Sequence, residues 1–567
     1  MNCFLLYKNA EWLSPKQYFD YKSITTDLNL NVLARTASCE VIWDKEQVKR
    51  LGDPDRFIEN TFLKQLVVPC LTEEEIVYRQ DIIRDCLNNE AFINGLYSTS
   101  FAMSEEWKKL GRITAGNATS RSASNQNSET ELIQKMRVMN LFLRTLKTIR
   151  ELFHSGMKNF RSEGLNSFIE RLDSEFPPEL EEQYNELMNK ISFFVESNDN
   201  IESLGKANKP DLTLGFTLGD GLKMDSFILN SVNTKIGKRR DPGSALAKVQ
   251  NMFVNMSFNS FSVDKTPQVN DQKHILEYGI VSYIMSYFTP FMDNFSNFFD
   301  QLLLQSAFYK GALNLKHHMM RFKIGFCFPT VSAKDVLCFA DLKEFIMCVQ
   351  QRVEAVGNSC DIVNKMLLII TGANQGGKST FLRSVGVAQI MMQCGLPVPA
   401  TRFESGIFPS FFTHFTRRED SAMNSGRLDE ELGRMSQIID NLGESSLVLL
   451  NESFATTTEK EGSVIAYDII KALNEAGVKV LTVTHLLSFA QKMYGEMEAD
   501  ISEGRATHVE FFSAERVEGG RRTYKMIQHA PELTSFGLDL YEDIVKNRNN
   551  KNKHLILYIT VFWTFIL

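Results

Sequence analysis

Residues 367–380 read LLIITGANQGGKST, an apolar run that breaks into a glycine-rich turn ending in Gly377-Lys378-Ser379. The run reads as a buried strand, and the stretch from Thr380 to about Cys394 reads as a helix. Between them, Gly372 to Ser379 match G-x-x-x-x-G-K-[ST], a loop shaped to hold phosphate. Gly372 permits the tight turn after the strand. Gly376 and Gly377 carry no Cβ, so backbone N–H groups can close around phosphate oxygens. Lys378 can set its ammonium on the β/γ-phosphates, and the Ser379 hydroxyl can ligate Mg²⁺. The helix that follows turns its positive end toward the anion. A chain with this segment must build a strand–loop–helix unit and, around it, an α/β domain.

The 567 residues are enough for three or four domains. With 43% hydrophobic and 23% charged residues, the composition is that of a soluble protein with ample core. A net charge of −7 argues against a globally basic nucleic-acid binder, although a local basic stripe suffices for binding. The nine cysteines are scattered, with no C-x-x-C and no Cys/His pairing. They read as small buried hydrophobes in a reducing compartment, without zinc or disulfides. The N-terminus lacks the basic and apolar regions of a signal peptide, so a cytoplasmic location without stable membrane association is expected. Leu555–Leu567 is almost wholly apolar and follows the basic KNRNNKNKH. It is too short for a typical membrane span. A surface anchor, a buried terminal strand and an out-of-frame gene end all fit it.

Four regions are expected: an N-terminal extension over 1–60, a mainly helical region over 61–325, an α/β domain over 326–545, and a basic linker with the apolar tail over 546–567. In Phe62–Leu87 an apolar helical pattern breaks at Pro69 and resumes after Thr72, an N-cap candidate with Glu75 as its capping-box partner. Thr119–Thr130 is polar and of low complexity, a loop or a frayed helix end. Long helices are expected near Glu131–Phe153 and Pro178–Glu196. Asp211–Leu218 and Leu222–Leu229 flank Gly219-Asp220-Gly221 and read as a hairpin, within an insertion over about 207–273. Lys235, Lys238, Arg239 and Arg240 follow it as a compact basic cluster, either a solvated loop or a phosphate-backbone contact. From His274 to Met320 the chain is rich in aromatics and Met at helical spacing, interrupted at Pro290, and reads as a packed pair of long helices. Alternating strands and helices from about Gly325 to Ile527 mark a largely parallel sheet.

Three further segments of that domain carry chemistry. Ser445–Leu450 (SSLVLL) is a strand ending in Asn451-Glu452. An acidic group there faces the phosphate loop, and Glu452 is the natural general base. Asn451 stands where an aspartate is usual. Its amide oxygen can accept from a magnesium-bound water but brings no negative charge. Val478–His485 is a strand ending in His485, which can hydrogen-bond a γ-phosphate or an attacking water; a purely structural histidine is the alternative. Ser425 and Gly426 open an acidic helix whose N-terminus can meet a phosphate, with simple N-capping as the alternative. This order resembles that of ABC-type ATPases, in which the serine-led helix reaches the nucleotide of a partner subunit.

More closely, the sequence resembles the MutS family of DNA mismatch-repair ATPases. Thr371–Ala400 (TGANQGGKSTFLRSVGVAQIMMQCGLPVPA) is similar to that family's phosphate loop and helix, SLVLLNES to its acidic motif, and Val483–Ala490 to its histidine switch. Leu66–Leu87 resembles the start of the family's core, and Arg521–Val545 its closing segment with S-F-G and a dimer-supporting helix. The resemblance spans about Thr61–Val545. It implies an ABC-type ATPase domain preceded by a core of lever helices with a small β clamp. It implies that Asn374, Gly376, Gly377, Lys378, Ser379 and Thr380 hold ATP, within a loop that includes Gly372, Ala373 and Gln375. Ser379 and Asn451 would serve Mg²⁺, Glu452 would activate water with His485 beside it, and Ser425-Gly426 would act on the partner's nucleotide. Phe328 is the candidate for stacking on adenine. The basic cluster falls where the family carries its DNA clamp.

Two departures qualify the resemblance. About 60 residues precede the core, too few for the mismatch-reading and connector domains; Phe57-Ile58-Glu59 and Phe168-Ile169-Glu170 spell the Phe-x-Glu wedge in helical context, by chance. Asn451 replaces the aspartate, and SFATTTEKEG replaces a glycine- and threonine-rich continuation. The expected function is a homodimeric, ATP-switched clamp on mismatched, branched or distorted double-stranded DNA in repair or recombination, nucleoid-associated when bound. The rivals are a nucleotide switch with weak hydrolysis and an ABC-type ATPase serving another partner.

Overall fold

The computed structural model describes residues 5–8, 17–39, 52–117, 126–156, 160–176, 182, 212–218, 224–232, 297–416, 426–443, 445–516 and 522–531. Two compact units divide it: residues 1–8 with 84–309, and residues 9–83 with 310–567.

The first unit is helical. It holds the end of α4 (Glu73–Asn88), then α5 (Glu90–Asn117), α6 (Gln126–Gly156), α7 (Glu163–Glu175) and the first half of α8 (297–321). The helix expected near Glu131–Phe153 is present within α6, and the second half of His274–Met320 is helical in α8, while Pro178–Glu196 apart from Glu182 and residues 274–296 lie outside the described residues. The core is a ladder of phenylalanines. Phe153 stacks on Phe168 with centroids 4.9 Å apart, and Phe142 meets Phe299 edge-on at 5.4 Å. Asp85 is buried, and its carboxylate accepts from the backbone N–H groups of Arg161 (2.9 Å) and Ser162 (2.8 Å), satisfying donors at the start of α7. Phe168 of the second F-x-E triplet is buried in α7, a packing residue. The hairpin is present: β1 (Leu212–Leu218) pairs antiparallel with β2 (Met224–Val232).

The second unit is built on a six-stranded sheet in the order β12-β11-β6-β10-β9-β8. Five strands are parallel: β6 (Leu367–Thr371), β8 (Ser410–Phe415), β9 (Ser446–Asn451), β10 (Lys479–Val483) and β11 (Val509–Arg516). The edge strand β12 (Arg522–Gln528) runs antiparallel. Strands β6 and β10 are buried at every position, as a parallel sheet covered on both faces requires. One face packs on α11 (Arg427–Asp440), α12 (Glu459–Glu475) and α13 (Leu487–Ser502) through Leu367, Ile369, Val448, Leu450, Ile470 and Phe489. The phosphate-loop helix α10 (Lys378–Gln393) is buried along nearly its whole length. It starts two residues before the expected Thr380, because Gly377 at φ +95° already serves as its N-cap. A second sheet, β3-β7-β4-β5, mixes parallel and antiparallel pairs of β3 (Thr330–Val331), β7 (Arg402–Ser405), β4 (Leu337–Leu342) and β5 (Asn358–Ile362). Nothing in the local residue pattern marks these strands as a sheet of their own. The short helix α9 (Phe345–Gln351) joins β4 to β5.

The unit boundaries differ from the expected 60/61 and 325/326. The helices α1 (Tyr21–Asp27), α2 (Leu30–Ser38) and α3 (Asp53–Leu66), together with the start of α4, pack with the six-stranded sheet rather than standing apart. Arg383 of α10 donates to the Asp27 carbonyl (2.9 Å), Tyr18 packs on Phe411, and Leu28 reaches α10 at Gly386, where a Cβ would lie 3.0 Å from its methyl. The predicted capping box is formed: Glu75 N–H donates to Thr72 Oγ1 (3.2 Å), and Thr72 N–H to Glu75 Oε2 (3.1 Å). Six of the eight described cysteines are buried. Among the described residues no helix is long and apolar enough to cross a membrane. The basic cluster Lys235, Lys238, Arg239 and Arg240 and the apolar tail lie outside the described residues.

Candidate nucleotide-binding site

The polar groups gather at the carboxyl ends of three adjacent strands, β6, β10 and β9, the edge where open α/β sheets place ligands. Two backbone bonds draw these ends together: Thr484 N–H donates to Ile370 O (3.1 Å), and Glu452 N–H to Val483 O (2.8 Å). The phosphate loop springs from β6. Gly372 sits at φ +103°, and a Cβ there would come within 2.9 Å of the Ala514 nitrogen on β11. Only glycine fits that approach.

A cavity of about 570 Å³ opens over the loop. Asn374, Gln375, Gly376, Gly377, Lys378, Ser379 and Thr380 line it, and Glu452 faces them. Gly372 and Ala373 form the loop's base. The Lys378 ammonium is buried and donates to the carbonyls of Gly372 (2.7 Å) and Ala373 (3.1 Å), bracing the loop from within.

Glu452 adopts φ +56° and Phe454 φ +65°, so the turn after β9 contains two left-handed non-glycine residues. Such conformations cost about 1–3 kcal/mol each and persist where the surroundings fix them. Here the surroundings are explicit. Phe454 is fully buried and stacks on His414. Ser453 Oγ lies 2.7 Å from His414 Nδ1, and Thr456 donates to the buried Glu431 carboxylate of α11 (2.7 Å). His485 Nδ1 stands 3.7 Å from Glu452 Oε1, an ion-pair distance and longer than a hydrogen bond. The imidazole holds the Glu452 carboxyl below the usual carboxylate range, partial burial opposes this, and the Lys378 ammonium adds to the lowering. Glu452 is therefore held as an ionised hydrogen-bond acceptor.

Asn451 ends β9 with its Oδ1 buried and accepting no hydrogen bond. A buried, unused acceptor at a strand end beside a phosphate loop fits a hydrated divalent cation, with the Ser379 hydroxyl as the second oxygen donor. Gly426 N-caps α11 with open space around its α-carbon, so the capping position falls to glycine; Ser425 lies outside the described residues. Phe328 is half-buried ahead of β3 and does not line the cavity. The apolar walls come instead from Val353, Val356 and Tyr524, all more than a third exposed. These residues carry no motif of their own. The one available signal was a tyrosine between basic residues in a strand, RRTYKM.

A strand–loop–helix phosphate cradle, with a carboxylate at the end of another strand of the same parallel sheet, defines a P-loop nucleotide-binding domain. Residues 368–544 match the family model of MutS domain V, and residues 72–322 match that of the MutS2 N-terminal domain. The chain belongs to the MutS family. It is 37% identical over 127 residues to the DNA mismatch repair protein MutS of Thermotoga sp. (strain RQ2), covering 22% of this chain and 16% of that protein. To the Endonuclease MutS2 of Lacticaseibacillus casei (strain BL23) it is 31% identical over 169 residues, 30% of this chain and 21% of the relative. To the DNA mismatch repair protein MutS of Thermus thermophilus it is 29% identical over 195 residues, 34% and 23% of the two chains. The matched stretch thus spans between 16% and 23% of the length of these curated relatives.

Proposed function

We propose that this chain is a Mg²⁺-dependent ATPase of DNA repair that acts as a homodimeric, ATP-switched clamp on mismatched, branched or distorted double-stranded DNA. The observation that carries the ATPase reading is the joint lining of one cavity by the phosphate loop and Glu452. The loop's N–H groups and the N-terminus of α10 hold the phosphates, and Lys378 turns from its carbonyl partners to the β/γ-phosphates. The adenine lies between the valines and Tyr524. Glu452, kept ionised by His485, accepts the proton of the attacking water. Ser379 and Asn451 would hold Mg²⁺, which would offset the negative charge that develops on the phosphates. The N-terminus of α11, led by Ser425-Gly426, meets the partner's nucleotide. DNA contact falls to the hairpin and its basic cluster. The protein would work in the cytoplasm, on the nucleoid.

The test combines ATP turnover with competition binding to homoduplex, mismatched and four-way-junction DNA. Glu452→Gln is expected to lower turnover by about 10²-fold or more while ATP binding persists. Undetectable binding to all three DNAs removes the clamp. A second reading, a slow nucleotide switch, is favoured by the uncharged Asn451 oxygen at the cation position. It expects Asn451→Asp to raise turnover and Glu452→Gln to change little.

A further inference from the structure

We propose that Asn358 is a positioning residue of the nucleotide cavity and acts through the backbone of Tyr524. The inference rests on the nucleotide reading above. Its starting point is an irregularity in the edge strand. On β11 and β12, Ala514 pairs with Met526 and Arg516 with Arg522, so Thr523, Tyr524 and Lys525 together oppose Glu515. Such a bulge bends a strand and re-aims a side chain. Tyr524, at its apex, stands at φ +61°, a conformation unfavourable for a residue with a Cβ.

The bulge is held by named bonds. Within β11 and β12, Thr523 Oγ1 donates to Glu515 O (3.2 Å), and Lys525 N–H donates to Thr523 Oγ1 (3.2 Å). Two further backbone groups of β12 are taken by the buried side chain of Asn358, at the start of β5 in the other sheet. Its Oδ1 accepts from Met526 N–H (2.7 Å), and its Nδ2 donates to Tyr524 O (3.3 Å). One primary amide thus grips the backbone on both sides of Lys525, as a neighbouring strand would. Lys525 Nζ adds a bond to Gly357 O (2.5 Å).

The consequence lies over the phosphate loop. Tyr524 Cδ1 is 3.6 Å and its Cβ 3.7 Å from where a Cβ of Gly377 would stand. The ring therefore covers the loop's last glycine and forms one wall of the cavity, while Arg522 Nη1 donates to Gln375 Oε1 (3.0 Å) beside it. Asn358 lines the same cavity. A regular β12 would not carry Tyr524 in this conformation. Asn358 is the side chain that satisfies the backbone so displaced.

The experiment measures ATP–Mg²⁺ binding by calorimetry and steady-state KM and kcat for the whole chain. The variants are Asn358→Ala, Asn358→Asp, Tyr524→Ala, the Asn358→Ala/Tyr524→Ala pair and, as the phosphate-loop control, Lys378→Ala, with melting temperature recorded for each. Expected are a roughly tenfold weaker ATP affinity and raised KM for Asn358→Ala, with kcat within about twofold. Asn358→Asp keeps the acceptor for Met526 N–H, loses the donor, and falls between. The pair is expected to lose no more affinity than Tyr524→Ala alone. Additive losses in the pair overturn the proposal, as does a lowered melting temperature with ATP affinity unchanged in both Asn358 variants. If Asn358→Ala does not fold, Asn358→Asp carries the decision on the same readouts. Absence of ATP binding in the unsubstituted chain overturns the nucleotide reading itself, whereas loss in Lys378→Ala with Asn358 variants unaffected overturns only the positioning role.

Discussion

In the helical unit phenylalanine rings pack on one another: Phe92, Phe153, Phe160, Phe168 and Phe298 form a continuous series. In the sheet unit phenylalanines such as Phe412, Phe454 and Phe511 are mixed with aliphatic side chains, and polar groups collect where three strands end. The first arrangement stores its specificity in packing, which is lost volume by volume. The second stores it in a few backbone-anchored groups, which can be removed with little loss of fold. The same kind of truncation should therefore damage stability in one unit and ligand affinity in the other.

The largest effect is expected for Phe153→Ala, which leaves a void among three rings and should destabilise the helical unit by about 3–5 kcal/mol. Denaturant unfolding followed by circular dichroism reads it, and an unchanged helical transition would break the comparison. Lys378→Ala comes next. It should weaken ATP binding by about 10- to 100-fold, from loss of charge-assisted bonds of about 1.5–3 kcal/mol, with the helical transition unmoved. A large drop in stability of both units would show that the lysine serves the fold instead. Smallest is Thr72→Ala, which removes half of the capping box and should cost about 1 kcal/mol. Hydrogen exchange confined to the first turn of α4 would locate that loss and sharpen the line between the two units.

What could be read from the sequence follows from locality. The phosphate loop, the capping box at Thr72 and Glu75 and the β1–β2 hairpin are each written within a few residues, so spacing alone identifies them. Glu452 and His485 were legible because each follows an apolar run at a strand end. The cavity's walls were not. Asn358 and Tyr524 meet across 166 residues, and neither carries a local signature of the contact. Phe328 stands upstream of the loop, where the family resemblance implies an aromatic, but position in the chain alone does not bring a segment to the cavity. The membership of residues 9–83 in the sheet unit was hidden for the same reason, since Leu28 finds its partner at Gly386 by shape alone.

That last arrangement has a consequence for how the chain is made. Residues 9–83 leave the ribosome before the strands they cover, and contacts such as Asp27 with Arg383 span 356 residues. At cellular synthesis rates the wait is on the order of tens of seconds. During it Tyr18, Leu28 and Phe62 have no sheet to cover them, while the residues between can complete a helical unit of their own. The sheet unit thus closes after the helical one can, and its residues 9–83 wait exposed to chaperones and to other nascent chains.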